Sequence, residues 1–425
     1  MPSFSVPLSG LNASSTALST IANNLANLNT IGYKDQQVQF ADLYYQSIGS
    51  DGAGDPIQQG AGVEVSSQPS DFTQGDVTAT GLATDVAING NGFFVVQENG
   101  VQSYTRAGNF EVGTNNLLET ANGQEVVGYQ AVKGAIDTSG GLTSLELGAG
   151  TTSPASVTAN LQMTTNLDAT AAVGTVYSAP AATIYDSLGA SHQVTITYTK
   201  TDTNTWSYQV SIPAGDLNPV NGVAQTGILS TGTLTFDGNG NLASDTIGSG
   251  TANTPPVDIT GIQITGFADG ASDQSFNWNV LNGTTPVITQ LASADSTASI
   301  QQDGTSSGTL ENFSIGSDGT ITGAFSNGTT AILGQIALAS FADEQGLSRN
   351  GNNDFSTTLA SGQATIGAPT TGGLGSISGG ALEQSNVDIA TEFANLIVAQ
   401  RSYEANARVV TTFDQVAQDT INLKQ

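Results

Sequence analysis

A mainly β chain with an α-helix at each end, one β domain inserted into another, is the architecture this sequence predicts. Three observations carry it. Heptad spacing of apolar residues is confined to the two ends, and the middle is a succession of alternating runs broken by Asn-Gly turns. The composition is the third. With 51 glycines and only 10% charged residues, the chain reads as many short strands joined by tight turns under a neutral polar surface.

The first helix is expected where Leu11, Ser14, Leu18, Ile21, Leu25 and Leu28 recur at spacings of 3 and 4. Pro7 fits only its first turn, and Gly32 is expected to stop it as a C′ glycine. Residues 1–33 carry no charged side chain, and the first charge is Lys34. The last helix is expected to open at Ser385-Asn386-Val387-Asp388, a capping box with Asp in place of Glu. Ile389, Phe393, Leu396, Gln400, Tyr403, Ala407 and Val410 then form one stripe, and Val409, Phe413, Val416 and Leu423 a second beside it. One partner helix cannot cover both. Either the helix packs inside a larger domain, or it contacts several neighbouring chains.

Gly-rich stretches at Gly49 to Gly62 and Ser361 to Gly380 read as linkers. Between them, Val194–Tyr198 and Trp206–Val210 alternate as half-buried strands, while Asn89-Gly90, Asn122-Gly123, Asn282-Gly283 and Asn327-Gly328 signal turns. The expected division is a terminal helical core of residues 1–33 with 381–425, connecting segments 34–72 and 361–380, an inner β domain of 73–149 with 289–360, and an outer β insertion of 150–288.

Charge and rare residues exclude most functions. Thirty-six acidic against eight basic side chains give a net charge of −28, which repels phosphate backbones and argues against nucleic-acid binding. The absence of cysteine rules out disulfides and thiolate chemistry, and His192 is the only histidine, so most zinc sites and acid–base triads fall away. No apolar stretch is long enough to span a bilayer, and the amino terminus lacks the basic region of a cleaved signal peptide.

The motifs that suggest catalysis fail on inspection. Gly304-Thr305-Ser306-Ser307-Gly308 has the form of a nucleophile elbow, but no histidine follows it. Asp237-Gly238-Asn239-Gly240-Asn241 begins like a calcium loop, yet Leu242 and Gly248 occupy the positions that need Gly and Glu, so a hairpin turn explains it better. Gly90-Asn91-Gly92 lacks the third glycine of a dinucleotide fingerprint. His192 reads as a surface or hydrogen-bonded residue, and the acids look singly scattered. No enzyme, cofactor or metal site is expected.

Asn23-Asn24-Leu25-Ala26-Asn27, followed by Thr30-Ile31-Gly32-Tyr33-Lys34, resembles the signature of the flagellar rod and hook protein family. So do Asp85 through Val95, Tyr104 through Phe110, Leu382 through Asp388, and Ala399 through Asn406. Ile184 through Gly189, Trp206, Thr235-Phe236-Asp237, Gly323 through Gly328 and Phe341 through Leu347 are similar to hook members.

The resemblance implies a structural subunit that polymerises into a short curved tube outside the cell, at the distal end of the basal body. That tube would act as a universal joint carrying torque to the filament. Implied partners are copies of itself, the distal rod, hook–filament junction, hook cap and hook-length control proteins, and the type III export apparatus. Leu11, Leu18, Ile21, Leu25, Leu28, Ile389, Phe393, Leu396, Tyr403, Val410, Phe413 and Val416 are the expected self-assembly residues. Asn23, Asn24, Asn27, Thr30, Gly32, Tyr33 and Lys34 carry the family signature. Another axial subunit (distal rod or hook–filament junction) is the close alternative, and a surface adhesin the distant one. The termini, poor in helix formers and ion pairs, are expected to order only on assembly.

Overall fold

The computed structural model describes residues 5–50, 56–132, 134–148, 151–219 and 222–422. Leu423 and residues 51–55 of the first Gly-rich stretch lie outside them. Helix α1 (Ser5–Ala26) and helix α2 (Ile389–Asn422) flank a chain whose other described regular elements are strands and two short 3-10 turns. Two compact units result. One comprises residues 1–148, 312–323 and 331–425, and the other 149–311 with 324–330.

Both helices form as the spacing predicts, but their ends differ. The α-helical geometry of α1 stops at Ala26, and a turn carries the chain past Leu28 to Gly32. Gly32 has φ +67°, and a Cβ there would lie 2.6 Å from the backbone of Arg106 and Ala107. It serves a close approach between distant segments, not a helix cap. At the start of α2 the cap is Asp388 itself, whose Oδ1 accepts from the Thr391 N–H at 2.7 Å. Ser385 instead accepts from Val387, so the expected capping box does not form.

In the first unit the strand Phe93–Glu98 lies between Val101–Thr105 and Glu125–Val132 and is buried on both faces. Phe94 and Val96 point into one cluster with Val86, Ile88, Leu118, Val126, Ile336 and Leu338. Phe93 and Val95 point into another with Tyr104, Val127, Ala339 and Phe355. A strand covered on both sides reads as an unbroken apolar run, which is what Phe93-Phe94-Val95-Val96 is.

The Gly-rich segments read as linkers are paired strands. Gln39–Asp42 runs antiparallel to Val63–Ser67, and Gln46–Ser50 to Pro56–Gln59. In the second stretch Thr365–Gly367 pairs with Leu338–Ser340, and Ser376–Gly379 with Val86–Asn89. Just after it, Ala381–Glu383 pairs with Val77–Ala79. In the second stretch and just after it, pairing partners distant in sequence supply the order that local composition withholds.

The second unit holds a sheet ordered Val176–Ser178, Ser191–Asp202, Thr205–Ser211, Ile228–Phe236 and Leu242–Ile247. Another is built on Asn160–Asp168, which pairs in parallel with Gln274–Asn279 and Ile288–Leu291 and antiparallel with Ser296–Gln302. That last pairing carries this unit well past residue 288. Trp206, Trp278, Tyr198, Tyr208, Leu161 and Phe276 fill one core, and Trp206 Nε1 donates to Gln290 Oε1 at 3.0 Å. Asp237 Oδ1 accepts from the Asn239 and Asn241 N–H groups, so that loop is the hairpin turn its sequence favours.

Candidate assembly site

The seven signature residues form one connected network at the end of α1. Tyr33 Oη donates to Asn24 Oδ1 at 3.1 Å and accepts from Asn23 Nδ2 at 3.0 Å. Asn24 also ties to both backbone groups of Gln36. Asn27 Nδ2 donates to the Asn23 carbonyl, and Thr30 Oγ1 donates to Asn27 Oδ1. Gly32 N–H donates to the Glu383 carbonyl at 2.9 Å.

Lys34 anchors this network to the far end of the chain. Its ammonium lies 2.6 Å from Glu383 Oε1 and 2.7 Å from the Thr73 carbonyl, with Lys34 and Glu383 side chains fully buried. Arg106 Nη1 approaches the other Glu383 oxygen at 3.3 Å while Nη2 donates to the Gly90 carbonyl. Burial pulls the Lys34 and Arg106 pKa values down, against the attraction of Glu383. Asn386 Oδ1 accepts from the Asp35 N–H, and its Nδ2 donates to the Asp71 carbonyl. Arg349 Nη2 donates to the Lys34 carbonyl. Glu383 and Asn386 precede α2, so the chemistry that fixes the start of one helix fixes the end of the other.

The helices run antiparallel, Gly10 against Asn406 and Asn24 against Glu392. A Cβ on Gly10 would meet the Asn406 side chain at 2.9 Å, so the missing side chain permits the close crossing. The buried residues of α1 are Pro7, Ala13, Ser14, Thr20 and Asn24. Ser14 and Thr20 donate their hydroxyls to carbonyls one turn back. Leu11, Leu18, Ile21, Leu25 and Leu28 are only half-buried. On α2 Glu392 and Ala399 are buried, and Leu396, Val410 and Phe413 are half-buried. Ile389 is 47%, Phe393 51%, Tyr403 38% and Val416 47% exposed. The most deeply buried positions of the helix pair are therefore mostly small or polar, and its large apolar residues are half-buried or exposed. Heptad reasoning looks for large apolar side chains, and so it missed these positions.

Beside the helix crossing lies a cleft of about 430 Å³ lined by Ser14, Ile21, Asp35, Phe40, Glu392 and Asn395. Glu392 is 5% exposed and its Oε2 has no hydrogen-bond partner. Burial first, then the charge of Asp35, pushes its pKa up, against hydrogen bonds with the Asn24 and Asn395 side chains. Burial raises Asp35 as well. In the second unit His192, read from sequence as a surface or hydrogen-bonded residue, is the hydrogen-bonded kind and lies buried within the strand Ser191–Asp202. Its Nε2 lies 3.0 Å from Asp186 Oδ2 and 3.6 Å from Asp269 Oδ2, and its Nδ1 lies 3.1 Å from Asp216 Oδ2. The acids that look scattered in sequence converge here and in the cleft, brought together by pairings no local spacing reveals.

The chain matches four protein families in order: flagella basal body rod protein over residues 5–34, the flagellar hook protein FlgE/F/G D1 domain over 87–164, the flagellar basal body protein FlaE D2 domain over 156–305, and the flagellar basal body rod FlgEFG protein C-terminal over 378–423. It is 35% identical to the flagellar hook protein FlgE of Escherichia coli K12 across 99% of this chain and all of that one. Identity is 36% to the FlgE of Borreliella burgdorferi, across 98% of each chain. With the FlgE of Treponema pallidum it is 33%, again across 98% of each.

Proposed function

The chain belongs to the flagellar hook protein family, and from that premise we propose how its two ends build the hook. It is a structural subunit of the hook in bacterial swimming motility; its family is structural and is not known for catalysis. Copies associate through α1 and α2 into a curved tube outside the cell that bends while passing torque from rod to filament. Leu11, Leu18, Ile21, Leu25 and Leu28 on one side, with Ile389, Phe393, Leu396, Tyr403, Val410, Phe413 and Val416 on the other, supply the apolar surface. The terminal helices form the innermost layer and the two β units project outward. The distal rod, hook–filament junction, hook cap and length-control proteins and the type III export apparatus are its partners.

The observation that carries this reading is the apolar surface that α2 leaves uncovered. Ile389, Phe393 and Ile397 are each more than 40% exposed along one face of that helix, and Val398, Val409 and Val416 along the opposite one, apolar surface that a solitary soluble protein would bury. In a strain lacking its own hook subunit, the chain is expected to restore hooks and swimming. Phe393→Asp, which puts a charge on that surface at a position already half in water, is expected to leave the monomer's melting unchanged and abolish swimming. Normal swimming with Phe393→Asp would overturn the assignment of this face.

A further inference from the structure

We propose that in the polymer Arg408 of one copy enters the cleft beside the helix crossing of the next copy and pairs with Glu392. This deepens the hook reading and rests on it. The acceptor is already built. Glu392 is nine-tenths buried, its Oε2 lacks any partner, and the carboxylate of Asp35 lines the same cleft. The Asn24 and Asn395 side chains hydrogen-bond this carboxylate, but among the described residues no cation pairs with it. A buried anion without a counter-charge is costly, and the cleft opens to solvent where a cation could reach it.

The donor is identified by elimination among the described residues. Lys34 and Arg106 are committed to Glu383. Lys200 is buried and donates to the carbonyls of Asp168 and Ala169. Arg349 is held by Ser70 and the Lys34 carbonyl. Arg401 pairs with Glu404 on its own helix. Arg408 is exposed and has no acidic partner.

Its position on α2 decides which copy it serves. Sixteen residues separate Glu392 from Arg408, about four and a half turns, which places them roughly 160° apart around the helix axis. The guanidinium therefore points away from its own cleft. Ile397, 58% exposed, shares the Arg408 face, and Phe40, 49% exposed, borders the cleft, so apolar surface flanks the charge on both sides of the contact. A donor and an acceptor on opposite faces of one helix make a head-to-tail contact. Such contacts repeat from copy to copy, into a ring where the rotation closes and into an open helical assembly where it does not.

The test is growth of the purified full-length chain on hook fragments. Arg408→Gln and Glu392→Gln are each expected to slow elongation about tenfold or more, and the double variant to grow no slower than the slower single. Arg401→Gln is expected to grow like the parent chain. Glu392→Gln removes a buried charge that no described cation pairs with, so its monomer should melt no lower than the parent. Two effects that multiply would mean the residues do not meet, and would overturn the proposal.

A second arm leaves both charges in place. The chain has no cysteine, so Asn395→Cys with Ala405→Cys introduces the only thiols. Ten residues of helix hold them about 15 Å apart within one copy. A short bis-maleimide, which adds one cysteine thiol to each of its two double bonds, should link polymer into a ladder, leave monomer unlinked, and link neither single-cysteine control. Normal polymer without a ladder overturns the contact but spares the hook reading. Failure of the unmodified chain to grow on hook fragments would instead count against the hook reading itself.

Discussion

His192 shows how much one side chain can report. Burial opposes its charge, but hydrogen bonds and attraction from Asp186 and Asp216 outweigh that and raise its pKa above the ordinary imidazole value. The folded state therefore favours the imidazolium. Its contribution to stability is complete below the ordinary pKa and is lost as pH rises through the raised one. As the only histidine, its ring signals titrate alone in NMR. The midpoint is expected above 6.5 and should fall in Asp216→Asn; a midpoint at or below 6.5 would refute the charge arrangement. Glu383 is the corresponding residue of the other unit. Glu383→Gln would strand two buried cations, at a cost of about 3–5 kcal/mol. Amide exchange at Val95 should then accelerate by about 10²–10⁴-fold, and unchanged exchange would show that Glu383 does not hold that unit together. The sequence flagged Lys34 by resemblance, yet its partner lies 349 residues away. No spacing rule spans that distance.

At the scale of elements, strands with clean alternation were legible, as in Ser191–Asp202 and Thr205–Ser211, where every second side chain is buried. Both helices were legible as well, although not their most deeply buried positions, which include Ser14, Thr20, Asn24 and Glu392, while the large apolar residues are half-buried or exposed. The strands near residues 40–67 were not legible, because they are short and sit beside a Gly-rich stretch. Those of 365–379 were not either, because Gly, Ser and Thr dominate them and only distant partners order them. This changes where the chain can be cut. A fragment of residues 73–360, which a linker reading would choose, removes the mates of Val86–Asn89, Val77–Ala79 and Leu338–Ser340 and discards Glu383. It is expected to aggregate or melt without cooperativity. Residues 30–388 keep these pairings and the Lys34–Glu383–Arg106 cluster, and should give a soluble monomer with cooperative melting in calorimetry. The opposite order of behaviour would refute the roles given to these strands.

For the whole molecule, function follows from what the ends leave unfinished. The β units bury their own cores around Phe93–Val96 and around Trp206 and Trp278, so neither needs a partner copy to fold. The helix pair does the reverse. Its most deeply buried positions are mostly small or polar, its large apolar residues are half-buried or exposed, and one carboxylate waits in a cleft. Sequence alone expected the ends to order only on assembly, whereas a single chain already forms both helices and pins them through Glu383, Asn386 and Lys34. Assembly then covers a prepared surface. Electron microscopy of the purified full-length chain grown on hook fragments tests that account most directly. It predicts curved tubes with the terminal helices lining the inner layer and the β units outside. Straight rods, or a chain that stays monomeric while its helices remain folded, would contradict it.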